Sequence, residues 1–374
     1  MPRVSKVHEQ VLPQNTLVLD NGGFSIKAGF ATAQPSLDDC DIIPNCLVRD
    51  RARRIWVGSS LEKIVDFGEL AFRRPVEKGF IVNWEAEKAI WDSIFVDSVK
   101  CHPPETNLLV AEAPNTPSVL QTNCDQMVFE EYEFASYSRL VGPSLNAYND
   151  IAALFNDPVC HDGPAECLLV IDSGFSHSTV TPVYKGRAIQ QAIRRLDVGG
   201  KFLTNHLKEV ISLRHYNLVD ETHLVNEIKE ACCFVSTNFE RDLERTWKHA
   251  SGVRKAPIGE EHDIIVDYVL PDYNSHKQGY MRPHDPSTSA KLKKLAAMKP
   301  PAEPVEDLMT LGNERFTVPE SLFNPRDIGL RQPGIHEMAL QSLSAVPSGL
   351  WPAMLANILV VGGNALMKGF TQRL

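Results

Sequence analysis

The sequence predicts an α/β protein built from two related halves. An apolar run, Leu17-Val18-Leu19, leads into Asp20-Asn21-Gly22, and a second, Leu168 to Ile171, leads into Asp172-Ser173-Gly174. After each Asp-led turn comes another strand-like stretch. Phe24 to Phe30 alternates apolar positions, and Thr179 to Tyr184 is rich in β-branched residues, so each half opens on a β-hairpin. Helical periods follow: Phe202, Leu203, Leu207, Val210 and Ile211 behind Gly199-Gly200, then Val225, Ile228, Cys232 and Val235 behind Asp220-Glu221-Thr222.

Bulk properties bound this reading. A chain of 374 residues has length for two packed cores, and its 43% apolar and 23% charged residues are those of a globular protein. The longest apolar runs, such as Ile358 to Val361, are too short to span a bilayer, and Met1 to Asn15 lacks a signal-peptide core, so an intracellular protein with no membrane partner is expected. The 8 cysteines show no paired CxxC spacing, and adjacent Cys232 and Cys233 are poor joint ligands for one zinc. A net charge of −9 argues against wholesale coating of nucleic acid and leaves only local contact. Tyr273 to Glu306 is rich in Pro, Lys, Ser and His without apolar period, and reads as an inserted loop.

A glycine-rich turn leaves backbone N–H groups for phosphate oxygens, and a carboxylate beside it can hold Mg²⁺ through water. One Asp-x-Gly turn is weak ground, since most are only turns. Two at the start of two similar halves say more, with Asp20 and Asp172 as metal-side carboxylates and Lys27 placed to meet a phosphate.

Asp20-Asn21-Gly22, Lys27-Ala28-Gly29-Phe30 and Asp172-Ser173-Gly174 resemble the two phosphate hairpins of the actin family. Further matches run in order down the chain: Gly79 to Trp84 with Ile90-Trp91, Glu112-Ala113-Pro114, Arg195-Leu196-Asp197, Ile228-Lys229-Glu230, Gly312 to Phe316, Gly334 to Glu337 and Gly362-Gly363. Other stretches are similar to the nuclear actin-related proteins, among them Phe72 to Pro75, Phe129 to Tyr132, Val198 to Glu209 and Asp267 to Asp272. The resemblance implies an actin-like, ribonuclease H-like duplicated fold with two lobes around a nucleotide cleft and inserted outer subdomains. Residues 1–145 would form the first lobe, its outer subdomain at about 43–75, and residues 146–374 the second, its outer subdomain at about 199–330 and a surface insertion at 273–308. Family members continue past the position of Leu374, so the C-terminal completion of the first lobe is expected to be missing. ATP or ADP with Mg is implied as a structural ligand, held by Asp20, Asn21, Gly22, Lys27, Asp172, Ser173, Gly174, Gly200, Lys229, Glu230, Gly362 and Gly363.

The departures from actin bear on activity. Conventional actin orients the attacking water with a Gln and a His, and alignment places Gly142 and Thr179 there, so no hydrolysis is expected. Phe24 replaces a glycine in the first turn, where its ring either hinders phosphate or points into the core. The stretch between Pro44 and Phe72 is shorter than the loop by which actin grips its filament neighbour, so no filament self-assembly is expected. That stretch holds Arg49, Arg51, Arg53 and Arg54, the densest basic cluster for DNA or nucleosome contact, and Tyr273 and Tyr280 are apolar anchors in the insertion. The resemblance thus implies a non-catalytic nuclear subunit of an SWR-type complex that exchanges a histone for its variant. The competing readings are an ATP-hydrolysing filament protein, opposed by Gly142, Thr179 and the short loop, and a small-molecule kinase of the wider hexokinase and heat-shock ATPase superfamily, which shares the hairpins but not Gly312 to Phe316 or Gly334 to Glu337.

Overall fold

The computed structural model describes residues 15–33, 36–64, 70–149, 163–246, 264–272, 278–284 and 306–374. The chain divides into two compact units, one of Met1–Ile64, Leu70–Cys167 and Val183–Gln190, the other of Val65–Glu69, Leu168–Pro182 and Gln191–Leu374. Gly142–Leu145 and Asn146–Tyr148 fold back directly from strand Ser136–Val141, and Ala165 N–H donates to Ala147 O at 2.7 Å, keeping this stretch with the first unit.

In the first unit, strands β1 (Thr16–Asn21), β2 (Ser25–Phe30) and β3 (Asp41–Pro44) are followed by β4 (Leu47–Arg49), β5 (Ile55–Val57) and β6 (Ala71–Arg73). Then come β7 (Val76–Glu77), β8 (Phe80–Ile81), β9 (Asn107–Glu112) and β10 (Ser136–Val141). The main sheet runs β10-β9-β1-β2-β3, with β10, β9 and β1 parallel and the β1–β2–β3 meander antiparallel. Strand β1 alternates as its pleat requires: Leu17 and Leu19 are fully buried and pack in one cluster with Ile90, Trp91, Ile94 and Phe95. Those four lie on the helix Trp84–Ser93 and its continuing π turn Ile94–Ser98, and Asn83 caps the helix by accepting from Ala86 N–H at 3.2 Å. A separate antiparallel sheet, β5-β4-β6, carries the short outer segment.

The second unit holds most of β11 (Cys167–Ser173) and β12 (Ser178–Tyr184) together with β14 (Arg194–Leu196), while β13 (Arg187–Ala188), paired with the end of β12, falls in the first. The second unit's remaining strands are β15 (Val266–Val269), β16 (Tyr280–Pro283), β17 (Leu308–Leu311) and β18 (Ile358–Val361). One sheet has the order β13-β12-β11-β18, with β14 also on β12 and β18 parallel to β11. Cys167 to Ile171 are all buried, which explains the unbroken apolar run of β11 in place of alternation. Helices Gly200–Arg214 and Thr222–Cys232 pack together and present Leu203, Leu207, Ile211, Leu224, Val225 and Ile228 inward, at the expected period.

The inserted stretch differs from expectation. Within it, Tyr280–Pro283 is strand β16, antiparallel to β15 in the sheet β16-β15-β17. It is an edge strand with exposed or half-buried side chains, held by backbone pairing to β15, so no apolar alternation marks it. Pro283 at its end fits an edge. Tyr273 lies outside the described residues.

Candidate functional site

The register of the first hairpin pairs Asp20 with Lys27, which puts the two side chains next to each other; Lys27 Nζ lies 3.2 Å from Asp20 Oδ2, both about half exposed. Lys27 thus sits directly across the strands from Asp20. The turn is tight: Gly22 N–H donates to Asp20 O at 3.1 Å, and a Cβ on Gly22 would sit 2.6 Å from Ser25 O. No side chain fits there. Phe24 does not point into the core. Its ring is 38% exposed beneath the Arg74 guanidinium, 4.6 Å away, and the same guanidinium donates to the carbonyls of Phe24 and Asn45 at 3.1 and 3.2 Å. Asn45 adds two ties, its N–H to Phe24 O and its Nδ2 to Gly22 O, each 2.9 Å.

The second unit gathers its own set. Gly174 N–H donates to His177 O at 3.1 Å, closing the turn, and Ser173 Oγ meets Ser178 Oγ at 2.9 Å. Asn364 Nδ2 donates to Ser173 Oγ at 3.2 Å and Gly174 O at 2.8 Å, and Gly200 N–H donates to Gly174 O at 3.0 Å. Gly362, at φ 95°, passes so close that a Cβ would lie 2.3 Å from Ser173 O and 2.8 Å from Asp172 Oδ1. Asp172, Ser173, Gly174, Gly200 and Gly362 are thus brought together, while Gly363 faces open space. Sequence reasoning missed Asn364, whose signal is its place two residues after Gly362.

Lys229 and Glu230, adjacent on one helix, point apart. The Lys229 amine is buried and donates to Asn226 Oδ1 at 2.8 Å, Thr204 Oγ1 at 3.1 Å and Gly200 O at 3.4 Å. Glu230 is exposed and accepts from Asn226 Nδ2 at 2.8 Å. Lys229 therefore braces Gly200 from behind, through the two helices.

The two positions that the resemblance aligns with actin's water-orienting Gln and His are Gly142 and Thr179. Gly142 opens a short helix after β10 and has no side chain, and Thr179 is buried within β12 opposite Arg195, its hydroxyl without a partner. His177 also went unnoticed in the sequence. It sits in the second turn with Nδ1 unpartnered, and burial, then the Arg195 charge, push it down to about 4 against the pull of Asp197.

These residues fit a phosphate-bearing ligand unequally. The second turn offers Asp172 beside two glycines that leave its edge uncrowded, Gly174 and Gly363. The first offers Asp20 and Lys27, but its Gly22 N–H is already turned to Asp20 O and a Phe24 ring stands in the turn. Among the described residues there is no group of three or more His, Cys, Asp and Glu that could hold a metal.

The arginine cluster forms the β4–β5 hairpin tip. Asp50 gathers it: its carboxylate accepts from Arg54 Nε at 2.7 Å and Trp56 Nε1 at 3.0 Å, and Arg54 stacks on the Trp56 ring at 5.1 Å. Hydrogen bonds from Trp56 and Arg54 hold the Asp50 carboxyl below its ordinary range, against desolvation. Arg53 stands at φ 63°, and Arg49, Arg51 and Arg53 are exposed. Tyr280 is exposed on β16, 3.4 Å from Glu306. Among the described residues no helix is long and apolar enough to cross a membrane.

Comparison with known proteins agrees with this geometry. The family model described as actin matches residues 11–374. An actin-related protein 6 of Neurospora crassa is 55% identical, covering 97% of this chain and 81% of the relative. The actin-like protein arp6 of Aspergillus fumigatus is 52% identical over 98% of this chain and 82% of its own length. An actin-related protein 6 of Drosophila melanogaster is 36% identical over 96% and 84%. With both Asp-led turns, the Gly362 approach and near full-length similarity in hand, the chain belongs to the actin family, in the actin-related protein 6 group.

Proposed function

We propose that this chain is a non-catalytic scaffold subunit of an SWR-type, ATP-dependent chromatin-remodelling complex in the nucleus, joining motor, partner subunits and nucleosome during histone exchange. The observation that carries the non-catalytic part is the pair Gly142 and Thr179, one without a side chain and the other with its hydroxyl buried inside a strand. Phosphoryl transfer to water depends on a group that aims the nucleophile, and neither residue supplies one. The partner reading rests on the resemblance to nuclear actin-related proteins, and the exposed Arg49, Arg51 and Arg53 are its surface for DNA or a histone acidic patch.

ATP or ADP serves as a structural ligand in this reading. The groups the resemblance offers it are Asp20 and Lys27 on the first hairpin and Asp172 with Gly174, Gly362 and Gly363 at the second for phosphate and Mg²⁺, and Glu230 for the adenosine. The nucleotide would bring phosphate charge and its metal, and the chain supplies only binding groups. A ligand that binds the folded state alone raises stability by mass action. Heating with and without millimolar MgATP tests this part, and an unmoved melting temperature together with no nucleotide released on denaturation refutes it.

The scaffold reading is tested by changing Arg49, Arg51 and Arg53 to Glu together. Arg54 is spared because it holds the hairpin through Asp50. Complex assembly and histone-variant exchange on nucleosomes are then measured. Loss of exchange or of nucleosome affinity with an intact fold is expected. Exchange at the parent rate places the contact elsewhere, and purification of the native chain without any remodeller subunit overturns the reading.

A further inference from the structure

Behind the first Asp-led turn lies a group of buried polar atoms that the proposed function does not use. Glu87, on the helix Trp84–Ser93, is fully buried, and no cation lies within ion-pair distance among the described residues. Its Oε1 accepts from Trp91 Nε1 at 3.1 Å and Asn45 Nδ2 at 3.4 Å. Each of those partners also holds the hairpin. Trp91 Nε1 donates to Asn21 Oδ1 at 2.9 Å, and Asn45 reaches the carbonyls of both Gly22 and Phe24. Two side chains therefore connect one carboxyl to the turn's backbone and to Asn21.

The same group leaves orphans. Glu87 Oε2, Asn45 Oδ1, Asn21 Nδ2 and Trp84 Nε1 are buried without a hydrogen-bond partner. Buried orphans are uncommon, and several in one place call for an explanation. An ionised carboxylate has nothing to offer the carbonyl oxygen of Asn45, and with no countercharge it carries the full penalty of burial. A proton on the carboxyl removes that charge from the buried site.

We propose that Glu87 is the positioning residue of the first Asp-led turn and acts as a neutral, proton-bearing carboxylic acid, setting Asn45 and Trp91 so that they hold Gly22, Phe24 and Asn21. Burial supports this by pushing Glu87 up to about 7, against the smaller pulls of Asn21, Asn45 and Trp91. The surrounding titratable and charged groups are Tyr132 behind Trp91, Cys46 beside Asn45, Arg74 on the Asn45 carbonyl, and the Asp20–Lys27 pair on the hairpin. Burial raises both Tyr132 and Cys46, so neither ionises in the window where Glu87 does. The role does not depend on whether nucleotide binds.

The sign follows from a folded value above the unfolded one. The stabilising contribution is complete below the ordinary 4.5, is lost progressively as pH rises, and is gone above about 7. The test compares the full chain with Glu87→Gln, whose amide keeps an acceptor and a permanent donor, and with Glu87→Ala. Wild type should lose on the order of 100-fold in folding equilibrium relative to Glu87→Gln between pH about 5 and about 8. Its infrared spectrum near pH about 6 should show a protonated-carboxyl carbonyl band that shifts in heavy water and is absent from Glu87→Gln. Hydrogen exchange at the Asn45 and Gly22 amides should quicken in Glu87→Ala and be restored in Glu87→Gln. Parallel pH profiles for wild type and Glu87→Gln, or no such band in wild type, overturn the proposal; the infrared readout needs no variant to fold.

Discussion

Replacing Arg315 by Met should loosen the outer part of the second unit. Arg315 lies in the family-like stretch Gly312 to Phe316 and is only 7% exposed, and backbone oxygens receive it. Its Nε donates to Cys232 O at 2.7 Å, its Nη1 donates to Ile264 O, and its guanidinium stacks on Phe234 at 5.1 Å. Burial lowers its pKa without discharging it. One side chain thereby ties the C-terminal end of the helix Thr222–Cys232 to the entry into β15. Methionine keeps most of the stacking volume but orphans two buried carbonyls, at about 1–3 kcal/mol each. Relief from burying a charge returns part of this, leaving a net loss of about 3 kcal/mol. A chain of two units need not unfold in one step, so the readout is native-state hydrogen exchange rather than a global transition. Protection of the amides in β15 and in the helix Thr222–Cys232 should fall about 100-fold, with Arg315→Lys intermediate because it reaches one carbonyl. A loss below about fivefold for Arg315→Met would show that those carbonyls find other partners and refute the reasoning.

Four further outcomes are expected. In a single-turnover assay with radiolabelled ATP the chain should release phosphate at least about 100-fold more slowly than conventional actin, given Gly142 and Thr179. Gly362→Ala should destabilise by about 2 kcal/mol or more, because φ is 95° and its Cβ would press on Ser173 O at 2.3 Å, whereas Gly363→Ala, with nothing within 4 Å, should be near neutral by calorimetry. His177, held down to about 4 from 6.5, contributes stability that is present above pH 6.5 and lost as pH falls toward about 4; His177→Asn should flatten that limb of the stability profile, and an unchanged slope counts against it. Sedimentation in polymerising salt should leave the chain in the supernatant, since the stretch between Pro44 and Phe72 is short, and ordered pelletable filaments contradict this.

Much of the candidate site was legible in residues 16–30 and 167–184 because its determinants are local. An apolar strand, an Asp, a glycine and a returning strand declare themselves within a dozen residues, and Lys27 follows from a cross-strand register with Asp20. Similar local logic found the helices behind Gly199 and Asp220, where the apolar period is the packing itself. The choice between two fates for Phe24 needed tertiary structure, since Arg74, which covers its ring, arrives from 50 residues away. The same holds for Gly362 against Ser173, and for Lys229, whose amine is turned by Thr204 and Gly200 of another helix. Strand β16 was invisible because pairing to β15 uses backbone groups that every residue carries, leaving no mark in composition. Glu87 is the sharpest case. In sequence it is one more acidic residue near the start of an amphipathic helix, and only packing against Trp91, Asn45 and the hairpin removes it from water. Patterns short in sequence were set by the chain alone, and the environments that decide charge, exposure and close approach were set by residues brought together from afar.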